Sequence, residues 1–324
     1  MKNFALIGAA GYIAVRHMKA IKDTGNMLIA ALDKFDSVGI IDSYFPDADF
    51  FTEFERFDRH IDKLRHNKKS GIDFVSICTP NYLHDSHIRF ALKQQADAVC
   101  EKPMVLNPWN VDALKELEKE TGKKINNILQ LRLHPNIIQL KQQVDKTPDD
   151  KRYSIDLNYI TSRGRWYFIS WKGEIQKSGG IATNIGVHFF DMLTWIFGEV
   201  EENIVHISEN YRAAGLLRLK RADVRWFLSI DYNDIPELIK KEGKRTFRAI
   251  TVNGENIDFS DGFMDLHTES YKEIINNRGF GLDDVKQTVQ TVYEIRNANP
   301  IGLKGDYNPL LKKQSFYRNI YKKN

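Results

Sequence analysis

The hydrophobic pattern of this chain changes period near residue 129, and that change dictates two kinds of sheet. Before it, short apolar runs at 4–7, 28–32, 74–78 and 98–100 alternate with helical stretches such as 86–94 and 110–121. Strands apolar along their whole length are buried on both faces, which marks a parallel sheet wound by helices on either side. After residue 129, apolar residues recur at every second place. Tyr153, Ile155, Leu157 and Tyr159 point one way with Ser154, Asp156 and Asn158 opposite, and Val224, Trp226, Leu228 and Ile230 repeat the pattern. Asn253-Gly254 reads as a hairpin turn, and helices are predicted over 187–197, 268–277 and 283–296. The reading is an α/β chain. A Rossmann dinucleotide-binding domain occupies 1–127, and an α+β domain with a mostly antiparallel open sheet occupies 128–324.

At 324 residues the chain exceeds what one ordinary core fills, which suits two domains. With 42% apolar and 28% charged residues, it falls outside the disordered and membrane-embedded classes. The formal charge of +4 is spread along the chain apart from a basic tail between Lys312 and Lys323, a better match to a small anionic ligand than to nucleic acid. Cys78 and Cys100 sit in apolar runs and read as buried reduced thiols, with no disulfide framework or zinc spacing. The apolar stretch 4–15 after Met1-Lys2 looks like a signal peptide, but Gly8 and Gly11 interrupt it and an amphipathic helix bearing Ala14, Met18 and Ile21 follows. A cytoplasmic protein is expected.

Residues 5–14 run from strand through a glycine turn into a helix. This sets Gly8, Ala10, Gly11, Tyr12 and Ile13 where helix-terminal N–H groups can receive a pyrophosphate. The glycines fall three apart rather than in the strict G-x-G-x-x-G spacing, and a tight turn packed for size would look the same. Asp33 adds an independent sign. An acid just after the second strand accepts bonds from the adenosine ribose and repels a 2′-phosphate, so NAD is expected over NADP despite the neighbouring Lys34. Thr79-Pro80-Asn81 and His84 follow the third apolar run, at the carboxyl edge where ligands bind.

Lys102, between Glu101 and Pro103, offers an ammonium, and His188, closing Asn184-Ile185-Gly186-Val187-His188, offers an imidazole. These are the groups that hold an alcohol and take its proton while its carbon releases a hydride, provided the fold brings them beside a nicotinamide. His188 is the expected general base and Lys102 the stabiliser of alkoxide charge, with Asn184 one helical turn earlier to orient the hydroxyl. A histidine near Phe189, Met192, Trp195 and Ile196 also reads as an ordinary core residue. Arg163, Arg165 and Lys172, interleaved with Trp166, Tyr167 and Trp171, suit an anionic sugar ligand. Gln130, Arg132, Asp265, His267 and Tyr271 are further candidates. Asp265 with His267 hints at a metal, but two residues make no ligand set, so no metal is expected.

The residues 8–14, Thr79-Pro80-Asn81, His84, Glu101-Lys102-Pro103 and Asn184 to His188 together resemble the Gfo/Idh/MocA family of sugar and cyclitol oxidoreductases, over nearly the whole chain. Within that family, the stretches 127–134, 161–167, 170–173 and 262–268 are similar to the bacterial UDP-N-acetylglucosaminuronate 3-dehydrogenases. The resemblance implies NAD-dependent oxidation of the C3 hydroxyl of that sugar nucleotide to a 3-keto product, the step before amination in making diacetamido-uronic acids for surface polysaccharides. It implies cofactor contacts that also include Glu101 and Lys102. It implies substrate contacts at Lys102, Gln130, Arg132, Arg163, Arg165, Trp166, Lys172, Asn184 and His188. A 2-oxo acid such as 2-oxoglutarate is the implied hydride acceptor for recycling the cofactor, and a homo-oligomer, with a tetramer as the expected order, is the implied assembly, without nucleic-acid or membrane partners. Many members carry Asp four residues before the histidine. Asn184 there can position a hydroxyl but cannot take its proton, which leaves His188 and Lys102 to handle it. Two other readings stay open: a dehydrogenase of another sugar or cyclitol, and a non-catalytic regulator that binds NAD or a sugar nucleotide.

Overall fold

The computed structural model describes residues 1–66, 71–257 and 265–312. The chain divides into two compact units, one of residues 1–133 with 262–289, the other of 134–261 with 290–324.

In the first unit the apolar runs become β1 (Asn3–Ile7), β2 (Met27–Leu32), β4 (Phe74–Ile77) and β5 (Asp97–Cys100), joined by two three-residue strands, β3 (Asp49–Phe51) and β6 (Ile125–Asn127). All pair in parallel in the order β3-β2-β1-β4-β5-β6. Helices α1 (Ala14–Asp23), α2 (Phe54–His66), α3 (His84–Lys93) and α4 (Pro108–Thr121) make the crossovers. Alternate residues of one strand feed opposite cores, as the pleat requires. Ala5 and Ile7 pack with Phe57, Ile88, Leu92 and Leu114 from α2, α3 and α4, while Phe4 and Leu6 pack with Ala14, Met18 and Ile21 from α1. The strand order reverses between β1 and β4, so the loops leaving these two strands flank the crevice where such sheets bind ligands.

The unit boundary differs from the division at residue 127. The helix Leu266–Ile275 belongs to the first unit because Tyr271 and Ile274 complete the same core as Phe4, Met18 and Phe74. The start of the helix Leu282–Asn297 adds Leu282, Val285 and Val289 to the other core of that unit.

The second unit holds a mixed sheet of β7 (Tyr153–Thr161), β8 (Val200–Ser208), β9 (Arg212–Leu219), β10 (Ala222–Ser229), β11 (Thr246–Val252) and β12 (Glu255–Asn256), in the order β12-β11-β7-β10-β9-β8. Among the described residues only β7 and β10 pair in parallel in this sheet, which agrees with the predicted mostly antiparallel sheet. Asn253 (φ 52°) and Gly254 (φ 87°) turn β11 into β12 with the two left-handed residues that a tight hairpin needs. Among the described residues no helix is long and apolar enough to cross a membrane. Cys78 and Cys100 are both buried and free.

Candidate functional site

Gly8 carries the chain from β1 toward α1. Its φ is +92°, and a Cβ there would stand 2.7 Å from the Cys78 carbonyl carbon, so the turn lies directly on the chain leaving β4 and only a hydrogen fits. Its N–H donates to the Leu32 carbonyl at 2.8 Å. The Ala10 N–H donates to one Asp33 carboxylate oxygen at 2.9 Å, and the other oxygen accepts from the Phe35 N–H at 3.0 Å. Asp33 thus shapes the glycine turn and keeps a lone pair on each oxygen for a ribose hydroxyl. The Gly11 N–H turns back to the Gly8 carbonyl. The N–H groups of Tyr12 and Ile13, which lead into α1, meet no acceptor among the described residues. Bare backbone at Gly8 and open amides at Tyr12 and Ile13 make a cradle that fits a dinucleotide pyrophosphate.

Thr79 and Pro80 leave β4 and pass through a turn at Asn81–Leu83 into α3. His84 is buried, with Nδ1 2.7 Å from the Pro103 carbonyl and Nε2 2.9 Å from the Thr79 carbonyl. Both ring nitrogens are engaged, so this residue, expected to touch the cofactor, instead clamps the Thr79 loop to the loop after Lys102. Burial lowers its pKa, and a neutral ring donates to one of the two carbonyls at a time.

Glu101 and Lys102 follow β5, where consecutive residues diverge to opposite sides. Glu101 turns inward: its Oε1 accepts from Nε2 of His17 on α1 and from Nε2 of His267, each at 2.9 Å, and its Oε2 accepts from the Lys102 N–H at 3.3 Å. The His17 Nδ1 lies 2.7 Å from the Tyr271 hydroxyl, itself 2.6 Å from the Ser76 hydroxyl. Burial opposes charge on Glu101, but the two imidazole hydrogen bonds outweigh it and hold the carboxyl well below the usual range. The chain of contacts sets the His17 tautomer: Nε2 donates to Glu101 and Nδ1 accepts from Tyr271. Among the described residues only His17, Glu101 and His267 have the composition of a metal-ligand group, and their spacing is that of hydrogen bonds. Glu101, expected among the cofactor contacts, has its carboxylate committed to the interior. Lys102 is half-buried, and the Lys102–Pro103 peptide is cis.

In the second unit, Ala182–Gly186 wind as a π turn ahead of the helix Val187–Phe197. Such an inserted residue is common at functional sites. The turn packs hard against β10, since a Cβ on Gly186 would stand 2.5 Å from Leu228 Cδ1. The predicted α-helical spacing between Asn184 and His188 is therefore corrected, because the intervening backbone is π-wound. Asn184 Nδ2 donates to the Tyr167 hydroxyl at 2.7 Å, tying the turn to the basic segment. His188, half-buried, stands in the first turn of the helix. Arg163, Arg165 and Trp166 are exposed, while Lys172 is half-buried with Nζ 4.1 Å from the Trp171 ring centroid. Burial, and then the Arg163 guanidinium, push the Lys172 ammonium below the usual lysine range. Arg163, Arg165 and Lys172 have no carboxylate partner among the described residues.

Gln130 is buried with its Oε1 unpartnered among the described residues, as a ligand-facing amide would be. Arg132 departs from expectation: its guanidinium is buried, bonds Asp284 at 2.9 Å and lies over the Phe280 ring, so it braces the first unit and is not presented to a substrate. Asp265 is exposed near Lys19, while His267 turns to Glu101, so the two do not face one another as ligands. Gly262, Phe263 and Met264, and the basic tail beyond Lys312, lie outside the described residues. Sequence reasoning missed His17. Its only signal was a polar ring between Ala14, Met18 and Ile21 on an apolar helix face.

Residues 2–128 match the family model described as oxidoreductase family, NAD-binding Rossmann fold, and 151–301 match the model of its C-terminal alpha/beta domain. The WlbA (WbpB) dehydrogenase of Thermus thermophilus, solved in complex with NAD and alpha-ketoglutarate, is 45% identical over 95% of this chain and 99% of that chain, with a TM-score of 0.92. The same dehydrogenase in complex with NAD and UDP-GlcNAcA gives a TM-score of 0.91. The chain is 30% identical to the inositol 2-dehydrogenase of Rhizobium meliloti over 61% of its own length and 55% of that protein. It is 26% identical to the Bacillus subtilis oxidoreductase YteT over 60% of its own length and 42% of that protein. These curated relatives are therefore spanned only in part.

Proposed function

The chain belongs to the Gfo/Idh/MocA oxidoreductase family, and from that premise we propose that it is an NAD-dependent dehydrogenase oxidising the C3 hydroxyl of UDP-N-acetylglucosaminuronate to the 3-keto sugar nucleotide. Bound NAD supplies the acceptor for the hydride. The chain's own part begins with holding it: the Tyr12 and Ile13 amides would receive the pyrophosphate, and Asp33 would accept from the ribose and repel a 2′-phosphate. Lys102 donates to the reacting hydroxyl and stabilises the alkoxide charge that develops on it, and His188 removes the proton. Asn184, its amide nitrogen held by Tyr167, orients the sugar.

One observation carries the substrate half of this reading. Several cations in the second unit have carboxylate partners close by, as Arg152 has Asp223, Arg225 has Asp156 and Lys177 has Glu174. Arg163, Arg165 and Lys172 have none among the described residues, which suits a ligand bringing its own carboxylate and diphosphate. The full-length likeness to the Thermus dehydrogenase supports the same substrate, and its complex with alpha-ketoglutarate supports 2-oxoglutarate as the acceptor that regenerates NAD. The reading includes a cytoplasmic homo-oligomer, expected to be a tetramer, working before the amination step of surface polysaccharide synthesis.

Incubation with UDP-N-acetylglucosaminuronate, NAD and 2-oxoglutarate should yield a product two hydrogens lighter by mass spectrometry. No turnover, or turnover of free sugars or inositol alone, refutes the substrate. The partial match to an inositol dehydrogenase favours one second reading, a cyclitol substrate. It predicts that loss of Arg163 and Lys172 leaves activity intact.

A further inference from the structure

We propose that His17 and His267 are positioning residues for Lys102, acting through Glu101: two buried imidazole N–H groups hold the carboxylate inside the first unit so that its second oxygen fixes the Lys102 backbone amide. The proposal rests on the reading of Lys102 as a catalytic group. It begins from an anomaly in the core. Phe4, Phe74, Val99 and Ile128 build an apolar layer around Tyr271, yet His17, Glu101, His267, Tyr271 and Ser76 thread a polar chain among them, each buried. A buried ionised group adds little stability compared with well-packed apolar side chains, so its presence calls for a use.

The connections point to that use. His17 comes from α1, the helix that the glycine turn opens; Ser76 comes from β4; Glu101 follows β5; and His267 and Tyr271 come from the helix Leu266–Ile275. The chain of bonds therefore ties the elements flanking the strand-order reversal to the residue just before Lys102. His267 supplies the second observation. Its Nδ1 is buried and unpartnered among the described residues, so the bond from Nε2 to Glu101 is the polar contact that orients this ring. On its other side Glu101 bonds the Lys102 N–H, and His84 clamps the Pro103 carbonyl of the same loop. Lys102 is thus held from both ends of a three-residue segment.

The test replaces His267 by Phe, which fills the space and removes the donor, and by Gln, which keeps an N–H. The groups facing Glu101 are His17, His267, the Lys102 amide, His84, Tyr271 and the thiols of Cys78 and Cys100. Because its native pKa lies below the ordinary carboxylate value, its stabilising contribution is present above that value and is lost as pH falls through the native pKa. Removing one donor raises the native pKa, so the acid-unfolding midpoint of His267→Phe should move up by about one pH unit, and that of His267→Gln should stay near wild type. Turnover of UDP-N-acetylglucosaminuronate by His267→Phe should fall at least about tenfold with NAD affinity unchanged, and Gln should restore most of it.

A shifted midpoint with undiminished kcat makes the network merely structural and overturns the proposal, as does an unshifted midpoint. Should the Phe variant not fold, Glu101→Gln keeps the shape and removes the charge. A kcat for that variant equal to wild type overturns the proposal equally, and a tenfold loss supports it. Absence of turnover in the wild type would sink the proposed function instead, a result the acid midpoint does not depend on.

Discussion

Gly8→Ala tests whether the turn after β1 is the wall of a nucleotide site or simply a convenient bend. The new Cβ would meet three atoms at 2.7, 2.8 and 2.9 Å, the Cys78 carbonyl carbon and oxygen and the Thr79 nitrogen. All are backbone, so no rotamer change relieves the clash, and overpacking of this kind costs about 1–3 kcal/mol. Holding a residue with a side chain at φ +92° adds about 1–3 kcal/mol. At about 2–4 °C per kcal/mol for a domain of this size, a cost near 4 kcal/mol lowers the melting temperature by about 8–16 °C. Gly122→Ala is the control. It also has a positive φ, +67°, but nothing lies within 4 Å of its Cβ position, so it suffers the backbone strain alone. The turn must lift from β4 to admit the Gly8→Ala methyl, which breaks the bond from the Ala10 amide to Asp33. A hydrogen bond to a charged group is worth about 1.5–3 kcal/mol, so NAD affinity should fall at least about tenfold by calorimetric titration. If Gly8→Ala melts with Gly122→Ala and binds NAD like wild type, the close approach of the turn to β4 matters neither to folding nor to the cofactor, and the turn is only a bend.

Lys102→Met and His188→Ala should each lower kcat/KM by about two to four orders of magnitude, His188→Ala with NAD binding intact, measured by steady-state kinetics and by titration; retained activity in either removes that residue from the chemistry. Arg163→Ala should raise the KM for the UDP-sugar about tenfold with little effect on kcat. It should also lift the Lys172 pKa toward its ordinary value by removing the second of its two causes, burial remaining the first; an unchanged KM would show that the cations do not meet the substrate.

The strands most readable in the sequence were those whose environment is uniform along their length. β1, β2, β4 and β5 are buried nearly throughout, so an apolar run announces them. β3 and β6, three residues each, are too short to show a period. In α2 only Phe57 and Ile61 are fully buried among thirteen mostly charged residues, too thin a stripe to stand out. The helix Leu266–Ile275 shows a different limit. Its apolar stripe says which face is buried and is silent about the surface it covers. Tyr271 and Ile274 could have served a core in either unit, and it is packing with Phe4, Met18 and Phe74 that places them in the first.

At the site, local chemistry was legible and long-range partnership was not. The glycine turn and Asp33 follow from turn geometry and strand ends, each read within a few residues. His17 and His188 show why the rest was not. Both stand on helices among apolar neighbours, and only the resemblance carried by Asn184 to His188 separates them in the sequence. In the folded chain one is fully buried and donates to a carboxylate 84 positions away, while the other is half-buried just beyond a π turn that no residue type announces. The Glu-Lys-Pro segment divides in the same way. Neighbours leaving an extended strand point to opposite sides, so with Glu101 bound inside by two imidazoles, Lys102 is the member proposed for chemistry. A motif of adjacent residues therefore need not act as one group: here its acid anchors the interior, while its amine is the group proposed to meet the substrate.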